Sequence, residues 1–88
     1  MNEEALRQIL LGALTEIAPE VEADAIDPGT DLDEQLDIDS IDFLNLIVAV
    51  NERTGIEVPE RDYPEFSTLD GAVTYLLAAQ RHTLDADA

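Results

Sequence analysis

Three stretches of the chain repeat their apolar residues at steps of three and four, the spacing that gives a helix one apolar face. The first stretch places on that face Leu6, Ile9, Leu10, Ala13 and Ile17. Asn2 can cap this helix, and Glu3 and Glu4 follow in its first turn, where the helix dipole favours negative charge. Pro19 ends the stretch. Because such a helix must bury its apolar face against a neighbour, the spacing predicts an all-α fold of packed helices.

The second stretch runs from Asp39 to a stop signal at Gly55, with Arg53 near its negative end. The pattern from Asp39 to Asp42 resembles a capping box, because an acid stands at each end of the first turn. Apolar residues surround much of this helix: Ile41, Leu44, Ile47 and Val48, with Phe43, Leu46 and Val50 one strip over. Their spread predicts that this is the most buried helix.

The third stretch is the last helix, which Ser67 or Thr68 can cap. Its apolar face holds Leu69, Ala72, Val73, Leu76, Leu77 and Ala79. Before it, residues 56–66 form a connector with room for one short helix stopped by Pro64. The expected architecture is a small four-helix bundle, with three main helices and a short third one. The length of 88 residues suits one domain, assigned to residues 1–82 and followed by a disordered tail at 83–88.

A long acidic loop, residues 19–38, separates the first two helices, and a loop of this length usually serves a function. Four Arg and no Lys stand against 21 acids, which gives a net charge of −17. Ten acids fall between Glu20 and Asp42, and no basic residue lies between Gln8 and Glu52. This surface repels nucleic acid and anionic membranes, and it attracts proteins with basic patches. The alternative is that the acids only keep the chain soluble.

Several other classes of protein fit poorly. The chain has no cysteine, so it has no disulfide framework or thiolate metal site, and its periodic, acidic start is unlike a signal peptide. We expect a cytoplasmic monomer without membrane insertion or a metal site. A calcium loop aligned on Asp31 would have Leu36 where glycine is required and Asp42 where glutamate closes the loop. The only histidine, His82, lies near the end and is better placed to interact with a helix dipole than to serve a hydrolase.

Ser40 is the strongest candidate for chemistry. It lies just inside the start of the second helix, at the end of the acidic loop, where a small hydroxyl should be exposed. A phosphodiester on this oxygen would lie near unpaired backbone N–H groups and the positive end of the dipole. The alternative is that Ser40 is a first-turn or cap residue with no chemical role.

The string Asp39-Ser40-Ile41-Asp42 resembles the Asp-Ser-Leu-Asp signature of acyl carrier proteins. The similarity extends over residues 3–80, including Leu36-Asp37 before the serine and the exit loop from Gly55 to Pro59. The resemblance implies a carrier, not an enzyme, with 4′-phosphopantetheine covalently attached to Ser40 by a phosphopantetheinyl transferase that uses coenzyme A and Mg²⁺. Cargo would then be held as a thioester on the arm, and no cysteine would be needed.

The resemblance also implies partner enzymes of the acyl-transferring or ketoacyl synthase type, with basic patches. The residues expected to contact partners are Asp39, Ile41, Asp42 and Asn45. Carriers of this type can open around cargo, and the candidates for lining an acyl pocket are Leu44, Ile47 and Phe66.

The chain departs from fatty-acid carriers on the exposed face of the second helix, where Asn45, Asn51 and Arg53 replace acids. This favours a discrete or specialised carrier in fatty-acid, polyketide or lipid biosynthesis, for example in polyketide or specialised lipid synthesis rather than primary fatty-acid synthesis. Peptidyl carriers typically have Gly-Gly-x-Ser where this chain has Asp37-Ile38-Asp39-Ser40, which argues against a standard amino-acid carrier. The open alternatives are an aminoacyl or peptidyl carrier and an acidic interaction domain without a prosthetic group.

Overall fold

The first helix, α1, begins and ends where the sequence predicts. In the computed structural model, which describes residues 1–87 and the side chains of residues 1–80, α1 spans Glu3–Ile17. The Asn2 side chain accepts a hydrogen bond of 2.8 Å from the backbone N–H of Ala5, which satisfies one of the free donors at the start of the helix. The predicted cap is therefore confirmed.

The loop after α1 is held by its own hydrogen bonds as well as by apolar contacts. It contains a 3₁₀ turn, Ala23–Ala25, and a short helix α2, Leu32–Gln35. The Gln35 side-chain amide bridges the loop: it accepts from the backbone N–H of Asp27 at 2.8 Å and donates to the carbonyls of Asp27 at 2.7 Å and Thr30 at 3.0 Å. The N–H of Leu32 donates to the carbonyl of Ser67 at 2.7 Å. These bonds fix the loop beside the start of the last helix.

Two further helices and a 3₁₀ segment complete the chain. Helix α3 spans Ser40–Thr54 and ends at Gly55, whose φ of 74° lies in the left-handed region that glycine favours. The 3₁₀ segment spans Glu60–Phe66 and continues through Pro64, so the prediction that Pro64 stops it is wrong. Helix α4 spans Leu69–Asp87. Thr68, one of the two predicted caps, accepts the N–H of Gly71 at 2.9 Å. His82 and the predicted tail at 83–88 lie outside the residues whose side chains are described.

The predicted all-helical bundle is confirmed, and α1 occupies its centre. Helix α1 packs against both α3 and α4. The core residues that are almost fully buried come from every main helix and from the 3₁₀ segment: Leu6, Leu10, Leu14, Leu46, Val50, Phe66, Val73 and Leu76. Ion pairs also connect the helices at the surface. Arg53 of α3 pairs with Glu16 of α1, and Arg7 of α1 pairs with Asp70 of α4.

The prediction that the second helix is the most buried is wrong. Three apolar side chains of α3 face solvent, with Ile41 68% exposed, Leu44 46% and Val48 55%. They recur at steps of three and four and so form one stripe along the helix. The sequence places apolar residues around most of α3, but a bundle of this size covers only the side of the helix that holds Leu46, Ile47 and Val50. We call the uncovered residues Ile41, Leu44 and Val48 the apolar stripe.

Candidate functional site

Ser40 is the first residue of α3, and its hydroxyl is not the cap of that helix. Asp39 takes that role: its carboxylate accepts the N–H of Asp42 at 2.9 Å, and the Asp42 carboxylate accepts the N–H of Asp39 at 3.3 Å. This reciprocal pair is the predicted capping box, formed by two aspartates. Because the flanking acids complete the cap, Ser40 remains exposed with its hydroxyl outside the capping bonds.

The surroundings of Ser40 fit a phosphodiester-linked group. The backbone N–H groups of Ser40 and Ile41 lie in the first turn, where no carbonyl of the same helix can accept them. The positive end of the α3 dipole acts at the same place and favours an anion. The carboxylates of Asp39 and Asp42, which flank Ser40 in the capping box, are each engaged with a backbone N–H. A small exposed hydroxyl in this setting can carry a phosphate without displacing packed side chains.

A cleft of about 540 Å³ opens beside Ser40. The start of α3, the acidic loop and the 3₁₀ segment form its walls, and its lining residues are Asp33, Ile38, Asp39, Ser40, Phe43, Tyr63, Pro64 and Ser67. The rings of Phe43 and Tyr63 meet edge to face with centroids 5.6 Å apart. This cleft, which we call the Ser40 cleft, has a largely apolar wall and two carboxylates at its rim.

The three residues predicted for an acyl pocket are not brought together in this cleft. Leu44 belongs to the exposed apolar stripe, and Ile47 lines a separate depression near Val58 and Pro59. Phe66 is fully buried and packs edge-on against Tyr75 at 5.5 Å. Sequence reasoning missed Phe43 and Tyr63. Phe43 follows Ser40 by three residues and so shares its helix face, a signal that was available; Tyr63 carries no comparable signal.

The predicted partner residues lie on one exposed region of α3. Asp39, Ile41 and Asn45 are exposed and Asp42 is half-buried, with the rest of the apolar stripe beside them.

Asn51 and Arg53, which stand where fatty-acid carriers have acids, both contact other parts of this protein. Asn51 donates from its side-chain amide to the carbonyl of Ile56 at 3.1 Å, and Arg53 pairs with Glu16.

Two titratable groups outside the cleft have shifted pKa values. The N–H of Gly29 and then the hydroxyl of Thr30 donate to the Asp27 carboxylate, and they lower the pKa of Asp27. Burial raises the pKa of Tyr75, and its hydrogen bond of 2.8 Å to the Asp62 carboxylate raises that pKa further. Tyr75 is therefore a neutral donor that ties the 3₁₀ segment to α4.

Two features are absent from the part of the chain that the structure describes. That part has no group of three or more acidic or histidine side chains placed to hold a metal ion. No helix within it has the length and apolarity to cross a membrane.

Comparisons with known proteins agree with this geometry. The family model described as the phosphopantetheine attachment site matches residues 4–76. An acyl carrier protein of Renibacterium salmoninarum is 31% identical over 81 residues, which cover 90% of this chain and 95% of that protein. One from an Arthrobacter species is 29% identical over 79 residues, covering 86% of this chain and 98% of that protein. Among solved structures, an acyl carrier protein from Enterococcus faecalis has a TM-score of 0.69 at 22% identity, covering 90% of this chain and 99% of that one, and it supports the fold.

Proposed function

This chain belongs to the acyl carrier protein family, and from that membership we propose that Ser40 is the residue to which its prosthetic arm is attached. The protein is a carrier rather than an enzyme, and it bears a covalently attached 4′-phosphopantetheine. When bound, this group supplies a terminal sulfur that holds an acyl cargo as a thioester. The remaining question for the chain itself is which residue accepts the arm.

One observation carries the proposal for Ser40: its hydroxyl is exposed at the start of α3 while Asp39 and Asp42 complete the cap without it. A serine that served only as a cap would accept a backbone N–H of its own helix. Here a carboxylate accepts the N–H of Asp42 instead. The Ser40 oxygen is therefore available to attack the pantetheine-bearing phosphorus of the coenzyme A pyrophosphate when a transferase supplies Mg²⁺ and removes the hydroxyl proton. The P–O–P bond then breaks, and adenosine 3′,5′-bisphosphate leaves.

The test is to load the purified chain in vitro. We expect coenzyme A, Mg²⁺ and a broad-specificity phosphopantetheinyl transferase to add one arm, seen by intact-mass analysis, and Ser40→Ala to add none. The chain offers a matched control, because its only other serine, Ser67, lines the same cleft. Ser67→Ala should load as the unchanged chain does. Loading of Ser40→Ala, or loss of loading in Ser67→Ala with Ser40 intact, would refute the assignment.

Family membership implies contact with synthases and transferases in general. We propose that these enzymes dock on Asp39, Ile41, Asp42 and Asn45, extended by the rest of the apolar stripe. The support is the exposure of that stripe, since apolar side chains left in water beside a functional residue mark an interaction surface. The fitting partner has an apolar groove rimmed by basic side chains, because the net charge of −17 then favours encounter.

We further propose a discrete carrier in polyketide or specialised lipid synthesis rather than in primary fatty-acid synthesis. Its support is that Asn51 bonds to the carbonyl of Ile56 and Arg53 pairs with Glu16 at the surface, so neither position presents an acid to a partner. The mass of the thioester on the carrier isolated from its native cell tests this proposal, and an ordinary saturated fatty-acyl series would contradict it. The cytoplasmic location and monomeric state expected from the sequence are proposals as well.

A further inference from the structure

We propose that Gln35 is a positioning residue for attachment of the arm, because its side-chain amide holds the loop beside Ser40 in the shape that the transferase meets. The loop segment in question is residues 27–35, which include α2 and which we call the loop wall. Gln35 itself does not line the Ser40 cleft. The inference rests on the proposed function of Ser40 and adds to it a residue that acts through its neighbours.

The hydrogen bonds of the Gln35 side chain are the first observation. Its oxygen accepts the N–H of Asp27 at 2.8 Å, and its nitrogen donates to the carbonyls of Asp27 at 2.7 Å and Thr30 at 3.0 Å. A glutamine amide has one acceptor oxygen and one nitrogen with two N–H donors, so both of its polar atoms are engaged here. All three bonds go to the backbone, and they close the loop wall into a ring that joins its first residue to its last.

The attachment of the loop wall to the last helix is the second observation. The N–H of Leu32 donates to the carbonyl of Ser67 at 2.7 Å, and the N–H of Asp70 donates to the carbonyl of Pro28 at 3.0 Å. The first bond holds α2, and the second holds the turn before it. Helix α2 has only four residues, too few to be stable without such support. Because the Gln35 amide joins the turn to α2, each attachment supports the other.

The place of the loop wall beside Ser40 connects these bonds to arm attachment. Asp33 of α2 and Ser67 both line the Ser40 cleft, so a transferase that reaches the Ser40 hydroxyl meets them. If the loop wall is loose, only the fraction of molecules that has the bound shape can bind, and the apparent KM rises by the inverse of that fraction. The attack itself is made by Ser40 in the bound complex, so kcat should not change. Two of the three Gln35 bonds are exposed to water, so their loss should cost little global stability.

The experiment measures loading rates over a range of carrier concentrations, with coenzyme A, Mg²⁺ and a broad-specificity phosphopantetheinyl transferase. Gln35→Met keeps the length of the side chain and removes all three hydrogen bonds. Gln35→Glu keeps the acceptor for the Asp27 N–H and loses both donated bonds, and it serves if methionine impairs folding. Gln8→Met is the matched control, because Gln8 is exposed on α1 and its side chain bonds to Glu4 of the same helix. Asn2→Ala controls for a general loss of stability.

We expect KM for the carrier to rise by about tenfold in Gln35→Met, as for a loop wall that has the bound shape in about a tenth of the molecules. The value of kcat should stay within about twofold of that of the unchanged chain. Hydrogen exchange at the backbone amides of Leu32 and Asp70 should become faster, while the midpoint of urea unfolding shifts little. Gln8→Met should behave as the unchanged chain does, and Asn2→Ala should lose stability without a rise in KM.

An unchanged KM in Gln35→Met, or in Gln35→Glu where methionine impairs folding, would overturn the inference, and so would a fall in kcat in place of a rise in KM. Amide exchange at Leu32 and Asp70 that the substitution leaves unchanged would show that Gln35 does not hold the loop wall. A rise in KM of the same size in Asn2→Ala would show that loading reports general stability. Failure of the unchanged chain to load Ser40 would instead refute the proposed function, so the two failures are distinguishable.

Discussion

Helices α1 and α3 have the same length, 15 residues, and similar capping at their starts, yet they differ in how fully their apolar residues are buried. Helix α1 buries its apolar face between α3 and α4, with Leu6 and Leu10 at most 1% exposed. Helix α3 buries only one side and leaves Ile41, Leu44 and Val48 in water. The helix that begins with the proposed attachment residue is therefore also the helix whose apolar residues are incompletely covered.

The difference separates apolar residues that folding covers from apolar residues that it leaves exposed. Those of α1 contribute to stability, because folding removes them from water. Those of the apolar stripe gain little from folding, since about half or more of each side chain stays exposed. They can gain on association with a partner that covers them. Stability and partner binding should therefore respond to substitutions in different helices.

Matched leucine-to-alanine substitutions test this separation, with the largest expected effect. Leu10→Ala in α1 removes a side chain that is 1% exposed and should lower the free energy of unfolding by about 2–5 kcal/mol. Leu44→Ala removes a side chain that is 46% exposed and should change it by about 0.5 kcal/mol or less. Urea unfolding followed by circular dichroism measures both. Equal losses would mean that the two helices do not differ as described.

A polar substitution in the apolar stripe tests the other half of the comparison. Leu44→Gln replaces the two methyl groups of the side chain with a polar amide and lengthens the side chain by one atom. We expect kcat/KM for loading by the phosphopantetheinyl transferase to fall by about tenfold, or about 1.4 kcal/mol, with unfolding nearly unchanged.

The control for this substitution is Thr74→Gln at an exposed position of α4. It should leave the loading rate at the level of the unchanged chain. If Leu44→Gln loads as fast as this control, the stripe does not contact the transferase.

Substitution of the two N-cap residues also compares the helices, with a smaller expected loss of stability. Asn2→Ala and Asp39→Ala each remove a side-chain acceptor for a first-turn N–H, and each should cost about 1 kcal/mol of stability. Only Asp39→Ala should also slow loading, because Asp39 orders the turn that presents Ser40. Thermal unfolding and a mass-based loading time course measure the two effects. A loading defect of the same size in Asn2→Ala would mean that loading reports general stability.

The sequence predicts the main helices and the exposed position of Ser40 well because their signals are local. Asn2 and Asp39 are caps whose partners lie three residues away, and Gly55 ends α3 through its own backbone preference. The position of Ser40 follows from the start of α3 alone. The local sequence does not predict which side of α3 is covered, because that depends on how many neighbouring helices a bundle of this size provides.

The cleft is harder to predict because its walls come from distant parts of the chain. Tyr63 meets Phe43 only because the 3₁₀ segment is anchored by buried Phe66 and by the bond from Tyr75 to Asp62. Asp33 reaches the rim because α2 bonds to the carbonyl of Ser67. The sequence shows that these residues are aromatic or acidic, but it does not show that they meet.

The ion pair between Arg53 and Glu16 joins α1 to α3 and gives the smallest expected effect. Both side chains are at least a third exposed, so the pair should contribute about 0.2–1 kcal/mol, reduced by salt. A double-mutant cycle with Arg53→Gln and Glu16→Gln isolates this coupling from the effect of each substitution alone. We expect the coupling at low ionic strength to shrink in about 0.5 M salt, where the Debye length is under about 5 Å. A coupling that salt leaves unchanged would mean that the pair is shielded from solvent. The interface between α1 and α3 would then extend beyond the buried side of α3, which holds Leu46 and Val50, as far as Arg53.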